Sequence, residues 1–486
     1  MWFITALLAT AAATDISVDP SANLTSLLSE LAPGTTVYFN EGPEMMAVRI
    51  FVAIALIVSA GSAVTALNRA NLPPEAGGAP DPEALEQRVM GIPMEYAVYL
   101  GALLFVPAFA ILVWSNRHYP LIGEDVIEPL MAQGAFGSIA GTFLSELSTP
   151  AGLLLIVIGS ASYLYIIRES LRMDIVGRQR LWMALCMMGF SALFWAFFEQ
   201  GGSSINTFTD RNVDRVSEER VVASSEVGTS LTFRVAPITA DPSLRELPVL
   251  DQEQFGYPGQ AGAFTMTQLT ELRESGTTET VTWTLTEEHV GMGVGGNAIP
   301  ASPFQSANPI YILLFGPVFS WLWSFLGRRN LEPSTPVKFA FGLFQLGLGF
   351  VVLWYGTQVC DDRGMVAVSF LLLGYLLHTT GELCLSPVGL SMVTKLSPKR
   401  LVATVMGAWF LATAFSGLLA AVIAGFTGTS HGGSEGEGIP VPIETVHVYG
   451  EVFGAVGLAA VIASVFALVI SPILRRWMHE GEPASV

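Results

Sequence analysis

The sequence contains little charge. Of its 486 residues, 51% are hydrophobic and 13% are charged. Soluble domains carry about 25% charged residues, so this composition excludes an ordinary soluble domain. It predicts an all-α polytopic membrane protein, whose helices pack on one another within lipid. The formal net charge of -18 also disfavours nucleic acid as a partner, because nucleic-acid-binding surfaces are basic.

Cysteine, metal-ligand patterns and enzyme motifs are also scarce. Cys186, Cys360 and Cys384 lie in or beside apolar segments without a CxxC pair, so we expect structural thiols. The six histidines show no metal-ligand spacing, and neither a metal nor an organic cofactor is predicted. Walker and HExxH motifs are absent. The inventory of aromatics, amides and isolated acids favours a transporter over an enzyme.

Nine apolar segments are long enough to cross a bilayer whose hydrocarbon core is about 30 Å thick. They are residues 45–67, 94–114, 151–167, 181–200, 308–326, 337–355, 365–393, 401–425 and 446–474. A shorter apolar segment at 1–13 fits either a signal peptide or the tail of a spanning helix whose beginning is absent. Alternation of the spans places four basic segments on one side: 168–180, 328–338, 395–400 and 475–476. That side, with the C-terminus, is predicted to be cytoplasmic.

A long hydrophilic insert, residues 207–306, interrupts the spans. It holds 14 acidic residues, six arginines and no lysine. Alternating patterns at 230–239 and 279–290 predict strands, and residues 264–275 predict a helix. We therefore expect a small β-containing subdomain outside the membrane. The predicted organisation has six parts. Residues 1–44 are polar with a short apolar start, 45–67 form one span, and 68–180 form a linker with two spans. Residues 181–206 form one span, 207–306 the insert, and 307–486 the remaining spans.

An acid within a spanning segment is the clearest functional candidate. Placing Glu382 there costs about 2.5–3.5 kcal/mol on insertion scales. Such a residue usually faces a wet cavity or a partner. His378 lies four residues earlier and shares its helix face. The pair fits a cation site or proton relay, or else a satisfied contact between helices. Ser386-Pro387 predicts a break or kink in the same helix.

Three further candidates flank other spans. Trp195 and Glu199 are four residues apart, which fits a binding-site wall or an interfacial tryptophan beside a hydrated helix end. Trp409 and Thr413 have the same spacing and could line a cavity or simply pack. Asn308 begins a span, where its amide could bind substrate or cap the helix.

Several stretches resemble the proton-dependent oligopeptide transporter family, a branch of the major facilitator superfamily. FWAFFEQGGSSINTF (194–208), IPASPFQSANPIYILLFGPVFSWLW (299–323), GELCLSPVGLSMVTKLSPKR (381–400) and MGAWFLATA (406–414) are similar to its helices seven, eight, ten and eleven. Residues 45–67 resemble helix six. Residues 94–114 and 151–167 resemble an extra helical hairpin of bacterial members. The resemblance therefore implies the carboxyl-terminal half of this fold, in a bacterial inner membrane.

The resemblance also implies a function and roles for the site residues. The expected function is import of di- and tripeptides, driven by protons and without any other cofactor. Glu382 would hold the peptide amino terminus and Asn308 the peptide backbone. Trp195 and Trp409 would wall side-chain pockets, and Thr413 would lie beside them. Glu199, His378 and Glu382 would be candidates for proton coupling.

The family's amino-terminal motifs, ExxER in helix one and FYxxIN in helix five, have no counterpart here. An alternating-access transporter rocks one half against the other. We therefore expect an amino-terminal half as a partner, either a separate polypeptide or a second copy. The other expected partners are peptides, protons and membrane lipid. The alternatives are a transport-inactive binding or regulatory membrane protein and a truncated gene product.

Overall fold

The computed structural model describes most of the chain from residue 87 onward. The described residues are 15–18, 36–39, 87–89, 91–131, 133–237, 242–259, 262–276, 278–296, 298–426 and 439–479. The apolar segment at 1–13 and the predicted span at 45–67 lie outside this set.

Helices dominate the described residues. The first six are α1 (Met94–His118), α2 (Glu124–Met131), α3 (Gly134–Ser148), α4 (Pro150–Leu171), α5 (Ile175–Phe198) and α6 (Ser204–Asn212). The other six are α7 (Met266–Ser275), α8 (Ala307–Arg328), α9 (Thr335–Gln358), α10 (Val368–Leu396), α11 (Val402–Gly425) and α12 (Pro442–Trp477). The sequence analysis predicts neither α2 nor α3.

Strands are short and pair two by two. They are β1 (Asp15–Val18), β2 (Thr36–Phe39), β3 (Arg88–Val89), β4 (Ile92–Pro93), β5 (Val213–Asp214), β6 (Arg220–Val221), β7 (Ser230–Arg234), β8 (Pro258–Gly259), β9 (Gly262–Ala263), β10 (Thr280–Thr284), β11 (Gly293–Val294) and β12 (Val366–Ala367). β7 pairs with β10, so the two strand predictions in the insert coincide with a real pair. The helix predicted between them is α7.

Seven helical segments among the described residues are long and apolar enough to cross a membrane: Pro150–Leu171, Ile175–Asn212, Ser302–Arg328, Thr335–Gln358, Val368–Leu396, Lys399–Gly425 and Pro442–Trp477. α1 carries a shorter apolar stretch, Tyr96–Leu112. Each predicted span from residue 94 onward therefore has a helical counterpart, and the expected all-α membrane architecture with a minor β component is confirmed.

The chain forms two compact units. The smaller one comprises Met1–Gly78, Thr232–Leu250 and Thr278–Thr282. Within it, β1 and β2 are parallel, and the Thr232 and Thr282 hydroxyls lie 2.9 Å apart. The larger one comprises Ala79–Leu231, Asp251–Thr277 and Trp283–Val486. It contains all twelve helices.

The core of the larger unit is built around α9, which packs against α10 and α12. Glycines bring these backbones together. A Cβ added to Gly381 of α10 would lie 2.7 Å from the carbonyl oxygen of Gly342 in α9, and one added to Gly457 of α12 would lie 3.2 Å from that of Gly347. Small residues allow this close approach between membrane helices. Large buried side chains such as Phe350 fill the space beside the crossings.

The prediction of a break at Ser386-Pro387 is wrong, because α10 continues through Pro387 to Leu396. Proline removes one backbone hydrogen bond, but neighbouring helices hold both flanks of this position. Leu385 is fully buried and Gly389 packs against Trp409. Tertiary packing thus outweighs the local preference.

Part of the insert is fastened to one end of the helix bundle. The Asn212 side chain, at the end of α6, donates to the carbonyl oxygens of Gly364 and Pro442, at 3.1 and 2.8 Å. β5 runs parallel to β12, just before α10. Arg363 donates to the Glu253 carbonyl oxygen at 2.9 Å. The starts of α10 and α12 and this part of the insert therefore share one end of the bundle.

Helix α4 is tied to the bundle by both packing and charge. Gly159 lies against the Phe415 ring of α11, where an added Cβ would come within 2.3 Å. At the end of α4, the Glu169 carboxylate pairs with Arg172 at 3.2 Å and with Arg400 at 3.1 Å. α1 packs on α4 in turn, so these two predicted spans are adjacent, as a hairpin requires.

Candidate substrate-binding site

A polar cluster joins the start of α8 to the middle of α10. The Asn308 Nδ2 atom donates to Glu382 Oε2 and to Thr379 Oγ1, both at 3.1 Å. The Thr379 hydroxyl donates in turn to the Tyr375 carbonyl oxygen at 2.7 Å. Asn308 and Glu382 are both half-buried. The structure thus brings two sequence-predicted site residues into direct contact, 74 positions apart in the chain.

Helical spacing explains why one face of α10 supplies the cluster. Residues 375, 379 and 382 lie four and three positions apart and therefore share a face. The buried Tyr375 ring reaches the turn after α5, where its hydroxyl lies 3.4 Å from the Gly201 carbonyl oxygen. The same face of α10 therefore meets α8 and the end of α5.

The Glu382 carboxylate has a neutral partner. Among the described residues, no lysine, arginine or histidine lies within 4.0 Å of it. The described part of the chain also holds no group of three metal-ligating side chains. A carboxylate offers about four acceptor positions, and Asn308 uses one. The arrangement can therefore accept a cationic donor.

His378 has a different environment from Glu382, although four residues separate them. Its ring is 2% exposed and lies 4.6 Å from the centre of Phe350 and 6.5 Å from that of Phe198. Gly349 makes room for it, since an added Cβ would approach the imidazole to 2.3 Å. His378 is enclosed by aromatic packing, so solvent reaches it only if the helices separate.

Trp195 lies in the last turn of α5, whereas Glu199 comes directly after the helix ends. Trp195 is half-buried and meets Phe198 edge-on at 5.2 Å. α5 ends at Phe198, and Glu199 begins a 3₁₀ turn with its side chain exposed. Trp195 therefore joins the aromatic group that also contacts His378, while Glu199 lies outside that group.

Trp409 packs away from the polar cluster. Its ring is 6% exposed, contacts Gly389 and meets Phe339 edge-on at 6.3 Å. Gly389 is seven residues beyond Glu382, which corresponds to about 10 Å along a helix. Thr413 is half-buried and its hydroxyl donates to the Trp409 carbonyl oxygen at 3.3 Å. Among the described hydrogen bonds, none joins either residue to Glu382.

Sequence reasoning missed Thr379 and Tyr375. The available signal was their spacing from Glu382 on α10, three and seven residues earlier. Neither residue is charged, and a threonine within a spanning helix commonly bonds its own backbone. Only the position of Asn308 identifies Thr379 as part of the cluster.

Together, the apolar bundle and its half-buried carboxylate define an integral membrane protein with an ionisable site between helices. Residues 273–436 match the model of the POT family. This match confirms the resemblance found in the motifs. The family consists of transporters, which also confirms the expectation that the chain is not an enzyme.

Similar proteins include an uncharacterized transporter YclF of Bacillus subtilis, 37% identical over 192 residues, covering 40% of this chain and 35% of the relative. A dipeptide and tripeptide permease A of Erwinia pyrifoliae is 34% identical over 196 residues, covering 40% and 37%. A crystal structure of a peptide transporter POT in complex with sulfate is 23% identical and aligns with a TM-score of 0.44, covering 79% and 55%. The chain spans little more than a third of the length of these curated relatives.

Proposed function

We propose that this chain is the carboxyl-terminal half of a proton-coupled importer of di- and tripeptides. The POT family match and the permeases among its relatives support the substrate class. The observation that carries the proposal is the Asn308–Glu382 pair, a half-buried carboxylate held by an amide and without a cation among the described residues.

In this proposal Glu382 binds the α-ammonium of the peptide. The ammonium brings three N–H donors, and Asn308 leaves most of the carboxylate's acceptor positions available. The Asn308 amide nitrogen is shared between Glu382 and Thr379, so its Oδ1 atom accepts a hydrogen bond from the peptide backbone. Trp195, packed against Phe198, supplies an aromatic wall. Trp409 and Thr413 take part only if α10 and α11 separate, because Trp409 is packed on Gly389.

Proton-coupled import requires the proton and the peptide to be carried together, whereas a proton and a peptide ammonium exclude each other at Glu382. In this proposal a proton held at Glu382 therefore passes to a second group when the ammonium binds. His378 and Glu199 are the weaker candidates, since His378 is enclosed and Glu199 is exposed beyond the helix end. We further propose a bacterial inner membrane location, with the C-terminus and the basic loops cytoplasmic and the acidic insert outside.

Binding of Ala-Ala to the purified chain in detergent tests the site. We expect Glu382→Gln to weaken binding roughly 10- to 100-fold, the effect of losing a charge-assisted hydrogen bond. N-acetyl-Ala-Ala, which has no ammonium, should bind the wild-type chain about as weakly. The matched control is Glu444→Gln, an equal loss of charge at an exposed carboxylate in the first turn of α12. Equal binding by the wild type and the Glu382 variant would refute the assignment.

One specific observation keeps a second candidate open. The chain spans little more than a third of its curated relatives, so it fits either a transporter completed by an amino-terminal half or a membrane protein that binds peptides without transporting them. The partner in the first case is a separate polypeptide or a second copy. Uptake and binding measured on the same preparation separate the two candidates.

A further inference from the structure

A basic cavity of about 650 Å³ opens at the end of the bundle where α5 begins and α10 and α12 end. Four cationic side chains line it: Arg180, Lys338, Lys395 and Arg475. Glu332 is the one carboxylate among the lining residues. The polar cluster at Glu382 does not line this cavity, so the peptide site leaves it unexplained.

Two of the four cations are engaged with the protein itself. The Arg180 guanidinium donates to the carbonyl oxygens of Met478 and His479, at 3.3 and 3.0 Å, and so holds the end of α12. Lys338 pairs with Glu332 and lies 4.6 Å above the Trp323 ring. These contacts fix the shape of the cavity, and the Glu332 carboxylate neutralises Lys338.

The other two cations have no such counter-charge among the described residues. Lys395 and Arg475 are exposed, and no described carboxylate lies within 4.0 Å of either. They approach the cavity from two helices, α10 and α12. An unpaired arginine and lysine converging on one concavity favour a phosphate group, which arginine binds in a bidentate way and lysine as a point charge.

We propose that this cavity binds the phosphate headgroup of an anionic phospholipid. The cavity lies at the ends of spanning helices, where headgroups meet protein, and basic pockets between membrane helices hold such headgroups. Apolar side chains next to the lining residues are exposed and suited to acyl chains: Leu390, beside Ser391, is 41% exposed, and Ile473, close to Arg475, is 52% exposed. A free phosphate shares the headgroup chemistry but gains nothing from these side chains.

The test uses the full chain in a neutral detergent at constant ionic strength. Its thermal unfolding is followed by tryptophan fluorescence as phosphatidylglycerol, phosphatidylcholine or inorganic phosphate is added. A protein that binds a ligand only when folded gains stability with ligand concentration. We expect saturable stabilisation by phosphatidylglycerol, and little from phosphatidylcholine or inorganic phosphate.

Two double variants with equal charge change decide whether the cavity is responsible. Lys395→Gln with Arg475→Gln removes the unpaired cations, and we expect the half-saturating phosphatidylglycerol concentration to rise about tenfold or more. Lys399→Gln with Arg476→Gln removes exposed cations that lie nearby but do not line the cavity, and should change it by about twofold at most. Equal effects of both variants would overturn the site, and equal stabilisation by inorganic phosphate would overturn the lipid assignment.

Discussion

At the scale of single residues, the site depends on how one amide is shared. Asn308 has two amide hydrogens, and Glu382 and Thr379 each lie 3.1 Å from its nitrogen. Because both acceptors belong to α10, the asparagine is held at two points and cannot rotate away from the carboxylate. In the proposed site Thr379 is therefore a positioning residue, and Glu382 is the group proposed to meet the ligand.

Thr379→Val should lower dipeptide affinity several-fold while leaving the chain folded. The variant removes one acceptor from Asn308, and losing a single hydrogen bond costs about 0.5–1.5 kcal/mol. Binding of Ala-Ala in detergent measures this. The control is Thr380→Val, whose hydroxyl bonds only the carbonyls of Leu376 and Leu377 in its own helix. A similar loss in both variants would mean that Thr379 acts through helix stability rather than through Asn308.

Residue types and spacing were enough to single out Glu382 and Asn308, because a carboxylate inside a span and an amide at a span's start are unusual. They could not show that the two side chains touch, since 74 residues separate them in the chain. The offset of α8 along α10 depends on tertiary packing, which has no local sequence pattern. The same limit applies to Trp409. Its spacing allowed a cavity wall, but the absence of a side chain at Gly389 lets the ring pack into α10 instead.

At the scale of elements, the glycine crossings set how closely α9 can approach α10 and α12. Gly374, Gly381 and Gly389 of α10 all have neighbours within 4 Å of an added Cβ, so they take part in this close packing. The partner glycines on α9 carried no separate signal, because glycine is frequent throughout these spans.

Gly381→Ala should destabilise the bundle. The new methyl group would lie 2.7 Å from the Gly342 carbonyl oxygen, with backbone on both sides, and overpacking of this kind costs about 1–3 kcal/mol. Thermal unfolding in detergent measures it as a lower Tm. Gly407→Ala in α11 is the matched control, since its added Cβ meets nothing within 4 Å. Alanine is the better helix former, so this variant should be neutral or slightly more stable. Equal Tm values for the two variants would contradict the close crossing.

The part of the insert that contains Asp251 and Glu253 should become less stable as the pH rises. Burial raises the pKa of Glu253 to about 7 and that of Asp251 to about 6, with Arg363 opposing both shifts. The folded pKa of the Glu253 carboxyl is higher than its unfolded pKa, which is near 4.5. Its contribution to stability is therefore fully present below the unfolded pKa, and it is lost as the pH rises through the folded pKa. For Glu253 the loss is on the order of 3 kcal/mol.

Hydrogen exchange of peptides covering residues 251–256, corrected for intrinsic rates, measures this effect at pH 5 and pH 8. The wild-type chain should be better protected at pH 5. Glu253→Gln keeps the shape without a titratable group, so most of the difference should disappear and protection at pH 8 should increase. The backbone bond from Arg363 to residue 253 remains available in this variant. An unchanged pH difference would place its origin elsewhere.

At the scale of the whole molecule, hydropathy predicted the membrane class and all seven described helices that are long and apolar enough to cross a membrane. Apolar helix faces need no further explanation in lipid. α8, for example, exposes Leu314 at 57% and Trp321 at 58%. The division into two units could not be predicted from the sequence, because the residues of the smaller unit come from three separate segments. Their pairing depends on contacts that have no local pattern.

Transport by this chain should depend on a second, amino-terminal half. Rocking requires two bundles around a central site, and the hydrogen bond between Asn308 and Glu382 joins α8 and α10, two helices of one bundle. In proteoliposomes with an inward proton gradient, we expect the chain alone to bind Ala-Ala without accumulating it. Co-reconstitution with the amino-terminal half of a POT permease should produce accumulation that a protonophore abolishes. Accumulation by the chain alone, with the same protonophore sensitivity, would show that copies of this chain complete the site themselves. Binding with no accumulation in any assembly would favour the transport-inactive alternative.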